Sequence, residues 1–253
     1  MAFRTDGSSH HDGIKEEEAI VKDRELLKEM YNLSDNFEAI HKGGTQNKAD
    51  VVVRDGSLQK KISIKKKKKL STGSYDYVNS SAALSNKIFS TVKDIATTIA
   101  GSNLSKSAAR RMFTEACHDT MVDMTSQQIK DILVDHVLKK NEDIEVLIKE
   151  TSTGSVYGYS FKDTPLAKSI KNHTPKFKWG RGKTSAKIVF EDDDGNIHDH
   201  NLRGRLVSNN GISAMLGLSS SNKSSIPVFK VQQDRVDKVL DGLVEKNIAT
   251  KWR

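Results

Sequence analysis

Two short β-branched stretches carry residues whose types and spacing suit hydrolytic chemistry. The first, residues 49–53, holds Asp50, and the second, residues 59–65, holds Ser63 and Lys65. The Asp-Gly turn between them predicts that the two stretches pair as antiparallel strands. Because side chains alternate along a strand, Ser63 and Lys65 point to the same face of the sheet. The pattern therefore places a carboxylate and a lysine side by side.

Hydrolysis of a phosphodiester bond needs a divalent cation, an activated water and stabilisation of charge on the phosphate. Magnesium prefers oxygen ligands and keeps several waters, so one or two carboxylates are enough to hold it. Asp50 can supply one oxygen, and the backbone carbonyl of Ile64 can supply another. Lys65 can then orient the attacking water or bind the scissile phosphate.

A predicted helix precedes these strands. Residues 14–31 carry apolar side chains at helical spacing, with acidic and basic residues between them. Glu25 and Glu29 lie on this helix and are candidates for a second carboxylate, with a solvated acidic face as the alternative for each. Residues 34–36 offer a cap for a short helical turn that continues through Ile40.

The spacing of these residues resembles that of the PD-(D/E)XK nuclease family. In that family an aspartate on one strand is followed, on the next strand, by an acidic residue, any residue and a lysine. Here Asp50 matches the first half and Ser63-Ile64-Lys65 matches the second. The sequence departs from the family pattern at Ser63, where the family has Asp or Glu. Serine is a weak metal ligand. The Gly43-Gly44 turn and the upstream helix also match the family's layout, in which that helix often supplies a glutamate.

The resemblance implies an α/β (α+β) fold with a restriction-endonuclease-like mixed central sheet flanked by helices. It implies a magnesium-dependent DNA endonuclease, of type II restriction-like or phage kind, with manganese as a possible substitute ion. The implied catalytic residues are Asp50, Ser63, Lys65, Glu25 and Glu29. The implied metal ligands are Asp50, the Ile64 carbonyl, and either Glu25 or Glu29.

Charge favours a polyanionic partner, because 41 Lys and Arg against 33 Asp and Glu give a net charge of +8. The lysine-rich run over residues 60–69 continues directly from a predicted strand, which indicates a phosphate-binding ridge rather than a loose tail. Residues 176–183 interleave basic and aromatic side chains, and residues 202–207 carry two arginines on one strand face. The residues predicted to contact double-stranded DNA are Lys66, Lys67, Lys68, Lys69, Lys178, Arg181, Lys183, Arg203 and Arg205.

Two other groups of possible metal ligands are weaker. Residues 192–194 are three adjacent aspartates before a glycine, which is typical of a solvated hairpin turn. His198 and His200 share a strand face, but no third and fourth ligands follow at the spacing usual for zinc. We therefore expect no zinc site there.

The lone Cys117 falls in a predicted helix, and a single cysteine allows no internal disulfide, which favours a reducing compartment. No apolar run approaches the ~20 residues that span a bilayer, and the first residues lack the apolar core of a secretory signal. We expect a protein that has no membrane segment, is not secreted, and works in the cytoplasm of a bacterial or phage-infected cell.

Residues 1–13 are polar and are predicted to form a flexible tail. Residues 14–253 are predicted to form a single nuclease domain, with a catalytic core over about 14–170 and an extra, β-rich DNA-binding subregion over about 171–253. Double-strand cleavage by a protein of this size would suggest a homodimer. The alternative function is a non-catalytic basic nucleic-acid-binding protein, which the charge run and the serine at position 63 also allow.

Overall fold

The structure, a computed structural model, describes residues 8–42, 49–78, 89–181, 183, 185–208, 211–218 and 227–252. The side chains of residues 8–13 and 227 lie outside that description, as does the Gly43-Gly44 turn. The helices are α1 (Ser8–Lys22), α2 (Arg24–Tyr31), α3 (Ser90–Ala100), α4 (Lys106–Val122), α5 (Ser126–Leu133), α6 (Lys139–Asn141), α7 (Pro165–Asn172), α8 (Gly211–Met215) and α9 (Val236–Glu245). The strands are β1 (Glu38–His41), β2 (Val51–Asp55), β3 (Leu58–Lys67), β4 (Ser74–Val78), β5 (Ile144–Glu150), β6 (Val156–Ser160), β7 (Thr174–Trp179), β8 (Ala186–Glu191), β9 (Ile197–Ser208), β10 (Pro227–Asp234) and β11 (Ala249–Lys251).

The mixed α and β content confirms the predicted α+β class. Contacts divide the chain into two compact units, one formed by residues 1–73, 138–168 and 235–253, the other by residues 74–137 and 169–234. The sequence predicts a single domain with a subregion boundary near residue 170, whereas each unit draws on both sides of that boundary. The reason is strand pairing between segments that are far apart in the chain.

In the first unit, the sheet has the strand order β1-β2-β3-β5-β6-β11. Strands β1, β2 and β3 are antiparallel neighbours, and β3 then pairs in parallel with β5. Strands β6 and β11 complete the sheet with antiparallel pairs. The sheet is therefore mixed, and its parallel step occurs at β3, the strand that carries Ser63 and Lys65.

Helices α1 and α2 supply the apolar side chains that cover one face of this sheet. Leu26 and Leu27 are buried on α2, which Asp23 caps by accepting a hydrogen bond from the Leu26 N–H at 3.2 Å. The buried cluster contains Ile20, Leu26, Leu27, Phe37, Val51, Val53, Ile62, Ile64, Leu147 and Val156. Since Ile62 and Ile64 belong to this core, the alternate residues of β3 must face away from it.

In the second unit, the sheet has the order β4-β10-β9-β8-β7, with every neighbouring pair antiparallel. Its core holds the fully buried rings of Tyr75, Phe190 and Phe229. Gly204 on β9 is required for this packing, because a Cβ atom there would lie 3.0 Å from the rings of both Phe177 and Phe229.

Three of the secondary-structure predictions above differ from the structure. Helix α1 begins at Ser8, so residues 8–13, predicted as tail, are helical; no proline interrupts this stretch, and a single glycine costs only about 1 kcal/mol. The predicted helix over residues 14–31 divides at Asp23, which caps α2. The helical turn predicted through Ile40 is instead β1, because these residues form a ladder with β2 in which Ala39 lies opposite Val53.

We predict that Cys117 does not react with thiol reagents in the folded protein. Its side chain is buried in α4, as the sequence predicts, and burial raises the pKa of its thiol to about 12. At pH 8 only about one thiol in ten thousand is then ionised, and the thiolate is the reactive form. Absorbance with an aromatic disulfide reagent should show no reaction in buffer and one reacting thiol in denaturant. Rapid labelling of the folded chain would contradict this burial.

Candidate active site

The backbone of Asp50 lies in the first unit's sheet, at the point where the chain enters β2. Its N–H donates to the Ile62 carbonyl at 2.8 Å, and its carbonyl accepts from the Lys42 N–H at 2.8 Å. These bonds extend the ladder in which Val51 lies opposite Ile62. Asp50 is therefore held directly across from Ser63.

The Asp50 carboxylate meets three groups of β3 through one oxygen. Its Oδ2 atom accepts the Ile64 N–H at 2.6 Å and the Ser63 hydroxyl at 3.2 Å. The Lys65 Nζ atom lies 3.7 Å from the same oxygen. The Asp50 side chain is 15% exposed and the Lys65 side chain 31%, so the pair is accessible from solvent. The structure thus brings together the aspartate, serine and lysine that the sequence predicts.

Ser63 has a positioning role in this arrangement. Its side chain is fully buried, and its hydroxyl donates to Asp50, which leaves it poorly placed to act as a cation ligand. A carboxylate that accepts both a backbone N–H and a hydroxyl has little rotational freedom. Ser63 therefore helps to fix the orientation of the Asp50 carboxylate.

The remaining oxygens of the cluster suit a hard cation. The Asp50 Oδ1 atom makes no hydrogen bond with any residue that the structure describes. The N–H and C=O of a strand residue point to the same neighbouring strand, so the Ile64 carbonyl is directed to the side on which Asp50 lies. One carboxylate oxygen and one carbonyl oxygen, with water completing the shell, fit the requirements of magnesium. No three His, Cys, Asp or Glu side chains form a possible metal group anywhere in the described ranges.

The helix glutamates are placed differently from the prediction. Glu25 and Glu29 are exposed on α2. Glu16 of α1 reaches the sheet instead, where its carboxylate pairs with Lys66 at 3.2 Å and also with Lys149. These two lysines lie opposite each other on β3 and β5. The sequence gives no signal that selects Glu16 among its acidic neighbours, because its partner on β5 lies more than a hundred residues away.

We predict that Glu16→Gln lowers the free energy of unfolding by about 1–2 kcal/mol at pH 7, since charge-assisted hydrogen bonds are lost. Burial raises the pKa of the Glu16 carboxyl, but the hydrogen bonds from Lys149 and Lys66 outweigh it and lower the pKa below 4.5. The contribution is therefore complete above the ordinary carboxyl pKa and disappears as pH falls through the lowered value. Urea unfolding at pH 7 and pH 3 should show this loss, whereas exposed Glu25→Gln should change little at either pH.

The lysine run divides between the two faces and the end of β3. Lys66 is paired with Glu16, and the Lys67 side chain packs beside Gly73, where a Cβ atom would lie 3.1 Å from its Cδ. Lys68 and Lys69 follow the end of β3 and are exposed. Of the predicted ridge, these last two side chains are the most accessible to a phosphate.

A basic cavity lies in the first unit, and its wall includes residues close to Asp50 in the chain. It has a volume of about 420 Å³, and Ala49 and Val52, which flank Asp50 and Val51 in the chain, contribute to its wall. The lysines that line it are Lys42, Lys61, Lys139 and Lys140. Asp143 also lines it and lies 3.7 Å from Lys61. The sequence signals are the adjacent lysines at positions 139 and 140, at the end of a predicted helix, and Lys61 in the lysine-rich run.

The second unit holds the other predicted DNA contacts. Lys178, Arg181 and Lys183 are exposed. Arg203 instead pairs with Asp234 at 3.0 Å, and Arg205 is half-buried. The arginine pair of β9 is thus less available to a ligand than the sequence predicts.

The alternating basic and aromatic residues of β7 point to opposite faces. The Phe177 and Trp179 rings lie on one side, where Trp179 meets His118 of α4 at 4.7 Å between ring centroids. Lys176 and Lys178 lie on the other side and are exposed. The basic and aromatic side chains of β7 therefore lie on opposite faces of the strand and do not form one continuous binding surface.

The histidines considered as zinc ligands have other partners. His198 Nε2 lies 2.9 Å from the Asp192 carboxylate, and its ring stacks on His173 at 4.7 Å. His200 Nε2 lies 2.7 Å from the buried Ser169 hydroxyl. Hydrogen bonds to His198 and Asn196 lower the pKa of Asp192 to about 2, the His198 bond contributing most. These contacts give His198, His200 and Asp192 structural roles in the β8–β9 hairpin and the residues packed against it.

No family model, curated protein or solved structure matches this chain. Among the helices in the described part of the chain, none is both long and apolar enough to cross a membrane.

Proposed function

We propose that the protein is a magnesium-dependent DNA endonuclease that hydrolyses phosphodiester bonds at the Asp50 cluster. The observation that carries the proposal is the Asp50 carboxylate, locked against the Ile64 N–H at 2.6 Å and 3.7 Å from Lys65 Nζ. The cluster lies on neighbouring strands of a mixed sheet with helices α1 and α2 on one face. This layout agrees with the resemblance to PD-(D/E)XK nucleases of restriction or phage type.

In this proposal Asp50 Oδ1 and the Ile64 carbonyl would hold Mg²⁺, or Mn²⁺ in its place. The bound ion would lower the pKa of a coordinated water and neutralise charge on the phosphate. Lys65 supplies a second positive charge that stabilises the phosphate as its negative charge grows. Ser63 keeps the Asp50 carboxylate in place by donating to Oδ2, so that Oδ1 would be available to a cation.

The basic cavity beside Ala49 supports the same proposal. Its lysines come from the end of β1, from β3 and from α6, and they would draw the DNA backbone toward the cluster. The proposed partner is double-stranded DNA in the cytoplasm, and cleavage of both strands would call for a homodimer. Mapping the cut ends would show whether one strand or two is cleaved.

The second candidate function is non-catalytic nucleic-acid binding. It is favoured by the Ser63 hydroxyl at the position of the family's second acidic residue and by the exposure of Glu25 and Glu29. This candidate predicts salt-sensitive DNA binding without cleavage.

The test is incubation of supercoiled plasmid with the native chain in magnesium and in chelator, beside Asp50→Asn and Lys65→Met chains. We expect nicked or linear plasmid only from the native chain in magnesium. Equal cleavage by all three chains would assign the activity to a contaminant and overturn the proposal. Absence of cleavage together with strong DNA binding would favour the second candidate.

A further inference from the structure

A second basic groove lies in the second unit, on the first turns of α4. It has a volume of about 590 Å³, and four cationic side chains line it: Lys106, Arg110, Arg111 and Lys183. Among the described residues that line it, the one acidic residue is Glu115. Three of these cations come from α4 and one from the connection between β7 and β8. Of the four, only Lys183 is among the residues that the sequence predicts to contact DNA.

The cations of this groove have no ionic partner among the residues that the structure describes. None of the four side chains makes an ion pair or hydrogen bond with a residue in those ranges. Two exposed lysines of the same unit are neutralised, Lys187 by Asp199 and Lys176 by Glu191. The groove therefore concentrates uncompensated positive charge on one surface.

Folding alone gives no reason for this arrangement. Ala109 and Phe113 are the buried residues of this part of α4, and Arg110 and Arg111 are exposed. Lys106 occupies the first position of the helix, where the helix dipole disfavours a positive charge. Lys106 and Arg110 are one turn apart, or about 6 Å along the axis. Like charges so placed repel each other unless an anion lies between them.

We propose that this groove binds the phosphodiester backbone of a nucleic acid, separately from the Asp50 cluster. The chemistry favours nucleic acid over an anionic membrane, because surface helices bind membranes through exposed apolar side chains. The large exposed apolar residues in the described ranges are Val122, Ile197, Leu218 and Val244, and none of them lines the groove. This binding goes beyond the proposed function, since it requires no cleavage.

The test measures binding of fluorescent single-stranded and duplex oligonucleotides by the full chain, in chelator and over a range of salt concentrations. Each phosphate contact contributes roughly −0.9 to the slope of log affinity against log salt for duplex, and roughly −0.7 for single strands. For Arg110→Gln/Arg111→Gln we expect a slope shallower by about 2 and a Kd about tenfold higher near 0.1 M salt. Glutamine retains good helix propensity, so circular dichroism should show an unchanged helix content.

The matched control is Lys176→Gln/Lys187→Gln, which removes the same charge from lysines that carboxylates already neutralise. A change in slope of 0.5 or less, on the order of half a phosphate contact, is expected from it. Equal weakening by the two double variants would overturn the proposal, as would binding to phosphatidylserine vesicles without binding to oligonucleotides. Because chelator prevents metal-dependent cleavage, this result stands apart from the plasmid assay, and either proposal can fail alone.

Discussion

Asp50→Asn is expected to lower the initial rate of magnesium-dependent plasmid cleavage by about 10³-fold or more. Asparagine keeps the shape of the side chain, and its carbonyl oxygen can still accept the Ile64 N–H that Asp50 accepts at 2.6 Å. It removes the negative charge that would hold the cation and that faces Lys65 at 3.7 Å. Rates are measured from the loss of supercoiled plasmid on gels, in millimolar magnesium.

Glu25→Gln and Glu29→Gln are the matched controls for this measurement. Each removes one carboxylate from the exposed surface of α2 in the same unit. We expect cleavage rates within about twofold of the native chain, because surface charge alone changes such rates modestly. A loss of cleavage rate as large as that of Asp50→Asn would show that the substituted glutamate belongs to the active site. Full activity of Asp50→Asn would remove the cluster from catalysis.

Ser63→Asp is expected to lower the free energy of unfolding by about 3 kcal/mol in chelator. The Ser63 hydroxyl is fully buried and lies 3.2 Å from the Asp50 carboxylate, so an aspartate there sets two carboxylates side by side. Magnesium would relieve the repulsion between them. At a magnesium concentration about a hundredfold above its Kd, we expect a recovery of about 2.7 kcal/mol. Thermal unfolding with and without magnesium measures both effects.

Ser63→Asn separates charge from volume in this experiment. It has nearly the shape of aspartate, so any overpacking cost, about 1–3 kcal/mol, is shared by both variants. It carries no charge, so magnesium should shift its unfolding no more than that of the native chain. If magnesium fails to stabilise Ser63→Asp more than Ser63→Asn, the cluster does not bind a cation in the proposed way.

The pairing of Asp50 with Ser63 and Lys65 could be read from the sequence because it depends on local geometry. The two-residue turn Gly56-Ser57 joins β2 to β3 directly, so the two strands pair in a nearly fixed register. Alternation along β3 then decides which side chains share the face of Asp50. The Asp192-to-Gly195 turn between β8 and β9 was predictable for the same reason, and Gly195 has the left-handed φ of +82° that such a turn uses.

The sequence could not predict which helix glutamate contacts the sheet. Glu16, Glu25 and Glu29 have similar local surroundings in the sequence, and all three lie on helices. Glu16 is selected because Lys149 of β5 lies beside Lys66 of β3 and the two together attract its carboxylate. Parallel pairing of β3 with β5 depends on a segment that follows about eighty residues later, so no local pattern contains it.

The sequence likewise could not predict which basic residues pair with carboxylates inside the protein and which remain available to bind a ligand. The net charge and the clusters of Lys and Arg predict a basic surface that binds a polyanion. Arg203, however, pairs with Asp234 of the neighbouring strand. Arg110 and Arg111, which look like ordinary helix residues, line a groove, and their side chains have no partner in the part of the chain that the structure describes. Charge is a property of composition, whereas the pairing of each charge depends on which elements become neighbours.

The sequence by itself determined the α+β class, the β2–β3 pair and the meeting of Asp50 with Lys65, because periodicity and a short turn act over a few residues. Only the tertiary structure showed that residues 38–41 form a strand rather than a helical turn, and that Ser63 donates a hydrogen bond to Asp50. It also decided the division of the chain into two units and the grooves of each. These features require contacts between distant segments, and their free energy appears only once those segments are packed together.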